Sequence, residues 1–183
     1  MRAIVGVSIL VAASAAWSQE GVFLTEADAP KAVLRDADAF TRADVVVTPE
    51  RRARVTAGLG GTLPSMWEDR WIVFRGVRGG ISVGRAIVVE EIGKHRPITF
   101  VVGLRPDRAV EDVAVMAYRE AYGGEIASRR FMSQYAGKRP VDDLRTPQGI
   151  KNVAGATLSV EAASRAVRKA QAIAAALDEE AAS

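Results

Sequence analysis

The stretch Ala154-Gly155-Ala156-Thr157-Leu158-Ser159 sets a glycine and two hydroxyl groups at the head of a long alanine-rich segment. Gly155 lets the backbone take a conformation closed to other residues and lets a bulky group approach the chain, and Ala156 adds little obstruction. Thr157 or Ser159 is expected to cap a helix, where unpaired N–H groups and the positive end of the dipole favour an anion. An anionic group at Thr157 would meet that environment. A threonine hydroxyl is weakly nucleophilic by itself, and no His or carboxylate stands beside it in the sequence to activate it. Read without other support, these six residues are also an ordinary turn and helix cap.

A second stretch of interest ends 31 residues before Thr157. Met116-Ala117-Tyr118-Arg119-Glu120-Ala121-Tyr122-Gly123-Gly124-Glu125-Ile126 leaves an apolar run, passes a glycine pair and enters a segment of different period. Gly123 and Gly124 would expose backbone N–H groups and let a flat ring come close. Glu120 and Glu125 flank the pair, and helix N-terminal electrostatics is the plain reading of them. Lys151 precedes Thr157 by six residues and could pair with a phosphate. His95, the only histidine, sits in Gly93-Lys94-His95-Arg96; a lone histidine builds no metal site without carboxylate partners, so it is held as a loop residue that could contact a ring. Trp67 and Trp71 could stack on a ring, but tryptophan beside a strand is more often core. Asp142 and Asp143 read as loop charges. No metal-ligating set and no acid–base pair of a self-contained active site emerges, so no catalytic residue is assigned.

The elements that must position these residues follow from periodicity. Thr25 to Asp28 carries a helix-start signature, followed by a mixed segment ending in Val45-Val46-Val47. Thr48 as N-cap, Pro49 at the first helical position and Glu50 in the first turn predict a helix stopping near Gly58, with Arg51, Arg52 and Arg54 as a solvated basic face. Trp71-Ile72-Val73-Phe74 reads as a strand, the glycines at 76, 79 and 80 as a turn, and Ile81 to Ile92 as a longer strand apolar on both faces around Ile87 to Val89. Pro97 to Leu104 alternates, Arg105-Pro106-Asp107-Arg108 is a turn with proline where a type I turn wants it, and Ala109 to Tyr118 returns as an apolar strand. That hairpin makes the sheet at least partly antiparallel.

From Glu125, the residues Ile126, Phe131, Met132 and Tyr135 suit a helix of about three turns stopped by Gly137, and a loop runs from Lys138 to about Ala156. Val160, Ala163, Val167, Ala170, Ala174 and Leu177 then recur at alternating steps of three and four, the seam of a helix packed closely on the sheet. Its opposite side carries Arg165, Arg168 and Lys169. The fold class expected is α+β: a small, mainly antiparallel sheet flanked by helices, closed by a C-terminal helix.

Composition bounds the function. The chain has 183 residues, 49% of them hydrophobic, which suits one domain with one core. The formal charge of +3 is too mild a bias to imply nucleic acid. The absence of cysteine removes disulfides, Cys-ligated metals and thiol-attached haem or lipid, and suits an oxidising compartment. Met1-Arg2, the uncharged run Ala3 to Ala16, and small residues at Ala16 and Ser18 read as a signal peptide cleaved after Ser18. The run is short for a membrane span, which needs about 20 apolar residues. The expected division is therefore residues 1–18 as signal and 19–183 as one domain in the periplasm or otherwise exported, with an uncleaved N-terminal membrane anchor as the alternative.

Ala154 to Ser159 resembles the flavinylation motif of the FMN-binding domain family, and the Glu120–Glu125 turn resembles that family's second motif, an acidic residue followed by a glycine-containing turn. The preceding hairpin fits the family's usual order of strand, turn, strand, turn and helix, and the resemblance covers roughly Ile81 to Ala174. It implies FMN as cofactor, esterified through its phosphate to Thr157 by a Mg-dependent flavin transferase that takes FMN from FAD. It further implies that Gly155, Ala156, Leu158 and Ser159 surround the attachment point while Glu120, Tyr122, Gly123, Gly124 and Glu125 lie beside the flavin ring. The chain is similar in these respects to the covalent-FMN subunits of Na+-translocating NADH:quinone reductase and Rnf-type complexes, which implies an electron carrier with redox partner proteins, some of them membrane-bound. The family commonly has aspartate six residues before the modified threonine and Ser or Thr before the glycine; Lys151 and Ala154 stand there instead. That leaves open noncovalent FMN binding and a cofactor-less binding module, and a periplasmic flavin-dependent reductase stands as a separate alternative.

Overall fold

The computed structural model describes residues 21–182; the expected signal segment lies outside them. One six-stranded sheet in the order β1-β6-β5-β4-β3-β2 organises the chain. Its strands are β1 (Gly21–Val22), β2 (Ala39–Val46), β3 (Arg70–Arg78), β4 (Ile81–Ile92), β5 (Pro97–Leu104) and β6 (Val110–Tyr118), each antiparallel to its neighbour. From β2 to β6 it is a meander, and β1 returns to the free edge of β6 with Gly21 opposite Tyr118.

Because side chains alternate across a strand, β4 and β5 feed two separate cores. On one face Trp71, Val73, Ile87, Val89, Ile98, Phe100 and Val102 pack beneath helix α4 (Thr157–Ala182). On the other, Phe74, Ala86, Val88, Val101 and Met116 are covered by the short helix α1 (Ala29–Val33). The double apolarity of Ile87 to Val89 thus has a cause in two covered faces. Helix α2 (Pro49–Gly58) begins as its sequence predicts, with the Thr48 side chain accepting a hydrogen bond from the Arg51 N–H, and it packs against α4. The structure is α+β, with α4 lying along the sheet.

Several local expectations differ from what forms. The mixed segment before Val47 is strand β2, an edge strand whose residues are mostly exposed on both sides and so carry no period. Gly76 lies inside β3 next to an irregularity in its pairing with β4, where an added Cβ would stand 3.1 Å from both Ala37 and Leu34; only Gly79 and Gly80 turn the hairpin. The expected three-turn helix after Glu125 is broken into a 3-10 turn (Gly124–Ala127), helix α3 (Arg129–Met132) and a second 3-10 turn (Ser133–Tyr135). The break falls at Ser128, whose extended backbone and side-chain bond to the Phe131 N–H start a new helix.

The largest departure is on α4. Lys169 is fully buried, its Nζ donating to the carbonyls of Met66 and Glu90 and to Glu68, with the Glu91 carboxylate 3.5 Å away. Arg165 bonds Glu91 and the Ile92 carbonyl, and Arg168 bonds the carbonyls of Pro140 and Asp142. These cations therefore face protein rather than water. Arg51 and Arg54 likewise grip Glu180 at the far end of α4, each at 3.0 Å. Trp71 is core, and Trp67 lies between Arg52 and Lys169, 5.0 and 5.7 Å from its ring.

Candidate functional site

One end of the sheet gathers the β4–β5 turn, the segment after β6 and the start of α4. The β6 strand ends in Tyr118, a fully buried residue whose hydroxyl reaches beyond the core. That hydroxyl donates to the Tyr122 carbonyl and lies 2.9 Å from Ser159 Oγ. Since the phenol's one proton goes to the carbonyl, Ser159 is the donor to Tyr118. Burial, reinforced by the charges of Glu120 and Glu125 and opposed by the Ser159 bond, pushes the Tyr118 hydroxyl above its ordinary value.

Gly123 makes this convergence possible. Its φ of 88° belongs to the left-handed region, and an added Cβ would stand 2.8 Å from the Tyr118 hydroxyl, 2.9 Å from Ser159 Oγ and 3.3 Å from the Ala156 Cβ. The glycine turn therefore rests directly on the first turn of α4, and two sequence motifs more than thirty residues apart become one surface.

Glu120 secures the third side. Its carboxylate is buried and accepts the backbone N–H groups of His95 and Arg96, the latter at 2.8 Å. Burial pushes this carboxyl up, but the N–H groups of Arg96, His95 and Lys94 outweigh that effect and hold it below the ordinary glutamate value. His95 is thus brought to the same end through its backbone, with its side chain exposed.

At the helix start, Val160 N–H bonds the Ala156 carbonyl at 2.9 Å, which makes Ala156 the residue before the helix and Thr157 its first member. Neither Thr157 nor Ser159 caps: Ser159 is turned inward to Tyr118, and Thr157 is exposed. The N–H groups of Thr157, Leu158 and Ser159 precede the first intrahelical donor and point out of the helix. Gly155 has a φ of 80°, and no atom lies within 4 Å of where its Cβ would be. A phosphate on Thr157 would meet an open approach, three helix N–H groups and the positive dipole end. On these grounds the residues present fit an attached phosphate ester.

Sequence reading missed Asn152. Its Nδ2 donates to Thr157 Oγ1 at 2.9 Å, while its Oδ1 accepts the Val153 N–H at 2.9 Å. Asparagine in a loop carries no signal of its own, and only the fold shows that it touches the threonine. Lys151, exposed beside it, is tied through its backbone N–H to Gln134. Around the glycine turn, Tyr122 is 83% exposed, Leu158 is 45% exposed and Glu125 is exposed, whereas Gly124 is half-buried. The apolar surface beside Thr157 is therefore free for a ring.

A cleft of about 780 Å³ runs along the next turns of α4, lined by Glu161, Ser164, Arg165 and Arg168 and walled by residues 58–62 and 140–146. None of the motif residues lines it, yet Thr157, Glu161, Ser164, Arg165 and Arg168 fall on one stripe of the helix. Among the described residues no group of three or more His, Asp or Glu is placed to hold a metal, and no helix is long and apolar enough to cross a membrane.

Comparison with protein families matches residues 93–172 to the FMN-binding domain. The match runs from the β4–β5 turn through β5, β6, the glycine turn and the loop into α4, and so contains the residues that meet at this end of the sheet. No curated protein matches the chain. Residues 93–172 form an FMN-binding domain, FMN is its cofactor, and the protein is a flavin-binding protein.

Proposed function

We propose, with the FMN-binding domain over residues 93–172 as the premise, that this protein is an exported electron carrier whose FMN is esterified to Thr157. The observation that carries the reading is the geometry of the helix start. Thr157 is exposed at the first position of α4, beside an open Gly155 and unbonded helix N–H groups, and against the glycine turn that Tyr118 and Ser159 hold in place. Flavin supplies the redox chemistry, taking one or two electrons, and the protein supplies attachment, orientation and access.

The chain's own residues divide the work. Thr157 offers the acceptor oxygen; Ser159 and Tyr118 fix the helix start against Gly123; Tyr122 and Leu158 present apolar surface to a ring. Glu120 keeps the turn carrying His95 closed over the same end. Lys151 is placed in sequence and exposure to meet a phosphate. Export rests on residues 1–18, and the partners are a flavin transferase and redox proteins, including membrane-bound ones.

The test is intact mass after coexpression with a flavin transferase. A gain equal to FMN less water, absent in Thr157→Ala, is expected; an unmodified and colourless protein overturns the reading. Yellow colour that survives Thr157→Ala at unmodified mass would mean noncovalent FMN. The cleft along α4 favours a second reading, a reductase that seats a small acceptor one helical turn from Thr157. Specific, saturable turnover of such an acceptor by the purified flavoprotein would select it over the carrier.

A further inference from the structure

We infer that Asn152 is the positioning residue for flavin attachment, holding the Thr157 hydroxyl in orientation as acceptor; the inference rests on esterification at Thr157. The step is a phosphoryl-type transfer without redox change. Thr157 Oγ1 forms a bond to the FMN phosphorus of FAD, the bridging P–O bond breaks, AMP leaves, and the hydroxyl proton passes to a base of the transferase. For this the oxygen must present one lone pair to phosphorus and its hydrogen to the base.

The structure arranges that orientation. Asn152 Nδ2 donates to Thr157 Oγ1 at 2.9 Å and so occupies one lone pair, leaving the other lone pair and the O–H directed elsewhere. The amide cannot be turned the other way. Its Oδ1 accepts the Val153 N–H, and an NH₂ group in that place could not. The side chain is therefore fixed at both ends, unlike an ordinary exposed asparagine.

The bond fixes the Thr157 side chain and the direction of its remaining lone pair, so its contribution is the orientation of the attacking oxygen. Neutral donation also adds no negative charge beside an arriving phosphate. Among the described residues Asn152 is the side chain that hydrogen-bonds Thr157, whereas Lys151, one residue earlier, is engaged through its backbone with Gln134.

The experiment measures the initial rate of FMN incorporation by mass spectrometry, with purified transferase, FAD and Mg²⁺, for wild type, Asn152→Ala and Asn152→Asp. The aspartate keeps an acceptor for Val153 N–H but loses the donor to Thr157. Both variants are expected to lose about tenfold in kcat with little change in the KM for the acceptor domain. Their circular dichroism and melting temperature are expected to match wild type, because the site is exposed. A wild-type rate in Asn152→Asp overturns the donor role, and a rise in KM at constant kcat overturns positioning in favour of recognition. Thr157→Ala with wild-type Asn152 controls the attachment reading separately. If wild type itself takes up no FMN, that reading fails; if only the Asn152 variants behave as wild type, this one does.

Discussion

Gly123→Ala, compared with Gly155→Ala, separates backbone conformation from close packing at the helix start. Both glycines are left-handed, at φ 88° and 80°. An L-residue in that region costs roughly 1–2 kcal/mol. At Gly155 the added methyl meets nothing within 4 Å, so that cost is all that is expected. At Gly123 the methyl would stand 2.8 and 2.9 Å from the two hydroxyl oxygens of Tyr118 and Ser159, closer than Cβ atoms come. Those side chains must part, and opening their buried hydrogen bond costs about 1–3 kcal/mol more. The expected loss is therefore about 2–5 kcal/mol for Gly123→Ala against about 1–2 for Gly155→Ala. Urea denaturation of residues 19–183 without flavin measures both, and for a chain of this size each kcal/mol appears as roughly 2–4 °C in melting temperature. Equal destabilisation by the two substitutions would refute the contact between the glycine turn and α4, and with it the claim that the two motifs form one surface.

Thr157→Ala abolishes the FMN mass gain, and Asn152→Ala or Asp slows it about tenfold, as set out above. Glu120 adds a pH dependence. Its folded-state carboxyl lies below the ordinary 4.5, so its contribution to stability is complete above that value and is lost as pH falls through the folded-state value. Melting temperature against pH should fall more steeply below about pH 4.5 in wild type than in Glu120→Gln; parallel curves would remove Glu120 from the acid limb. Lys169→Ala leaves Glu68 without its cation and Glu91 with Arg165 alone, and should cost about 3–5 kcal/mol in urea denaturation, with part recovered in Lys169→Met combined with Glu68→Gln. A loss under about 1 kcal/mol would show that the cluster is solvated.

What the sequence made legible is what obeys a period or a local rule. Thr48-Pro49-Glu50 names its helix because capping is decided within four residues, and β4 to β6 read correctly because alternation and a Pro-Asp turn are local. Strand β2 was not legible because most of its side chains are exposed, so it is set mainly by pairing with β3, a contact between distant residues. Lys169 misled for a related reason. A cation on a helix reads as solvated until the fold supplies Glu68 and two carbonyls from segments about 80 to 100 residues away. The site divides in the same way. Gly155, Thr157 and the Gly123 pair were visible by type, whereas the inward turn of Ser159 depends on where β6 ends and the contact of Asn152 with Thr157 on how the loop before α4 folds.

The buried cations of α4 bear on the flavin site through geometry. Helix α4 carries Thr157 and Ser159 at its start, Arg165 and Lys169 in its middle and Glu180 near its end, over 26 residues of one rigid element. The alanines of this seam permit close packing, and between them only Val160, Val167 and Ile173 offer larger buried side chains against a slide by one turn. The directional bonds do stop it: Arg165 and Lys169 meet Glu91 and the carbonyls of Met66, Glu90 and Ile92, and Glu180 meets Arg51 and Arg54. A shift of one turn would move Ser159 about 5.4 Å from Tyr118 and lift the helix start off Gly123. The polar cluster thus sets the longitudinal position that the apolar core leaves loose, and Thr157 stands against the glycine turn because charges several turns away fix where the helix lies.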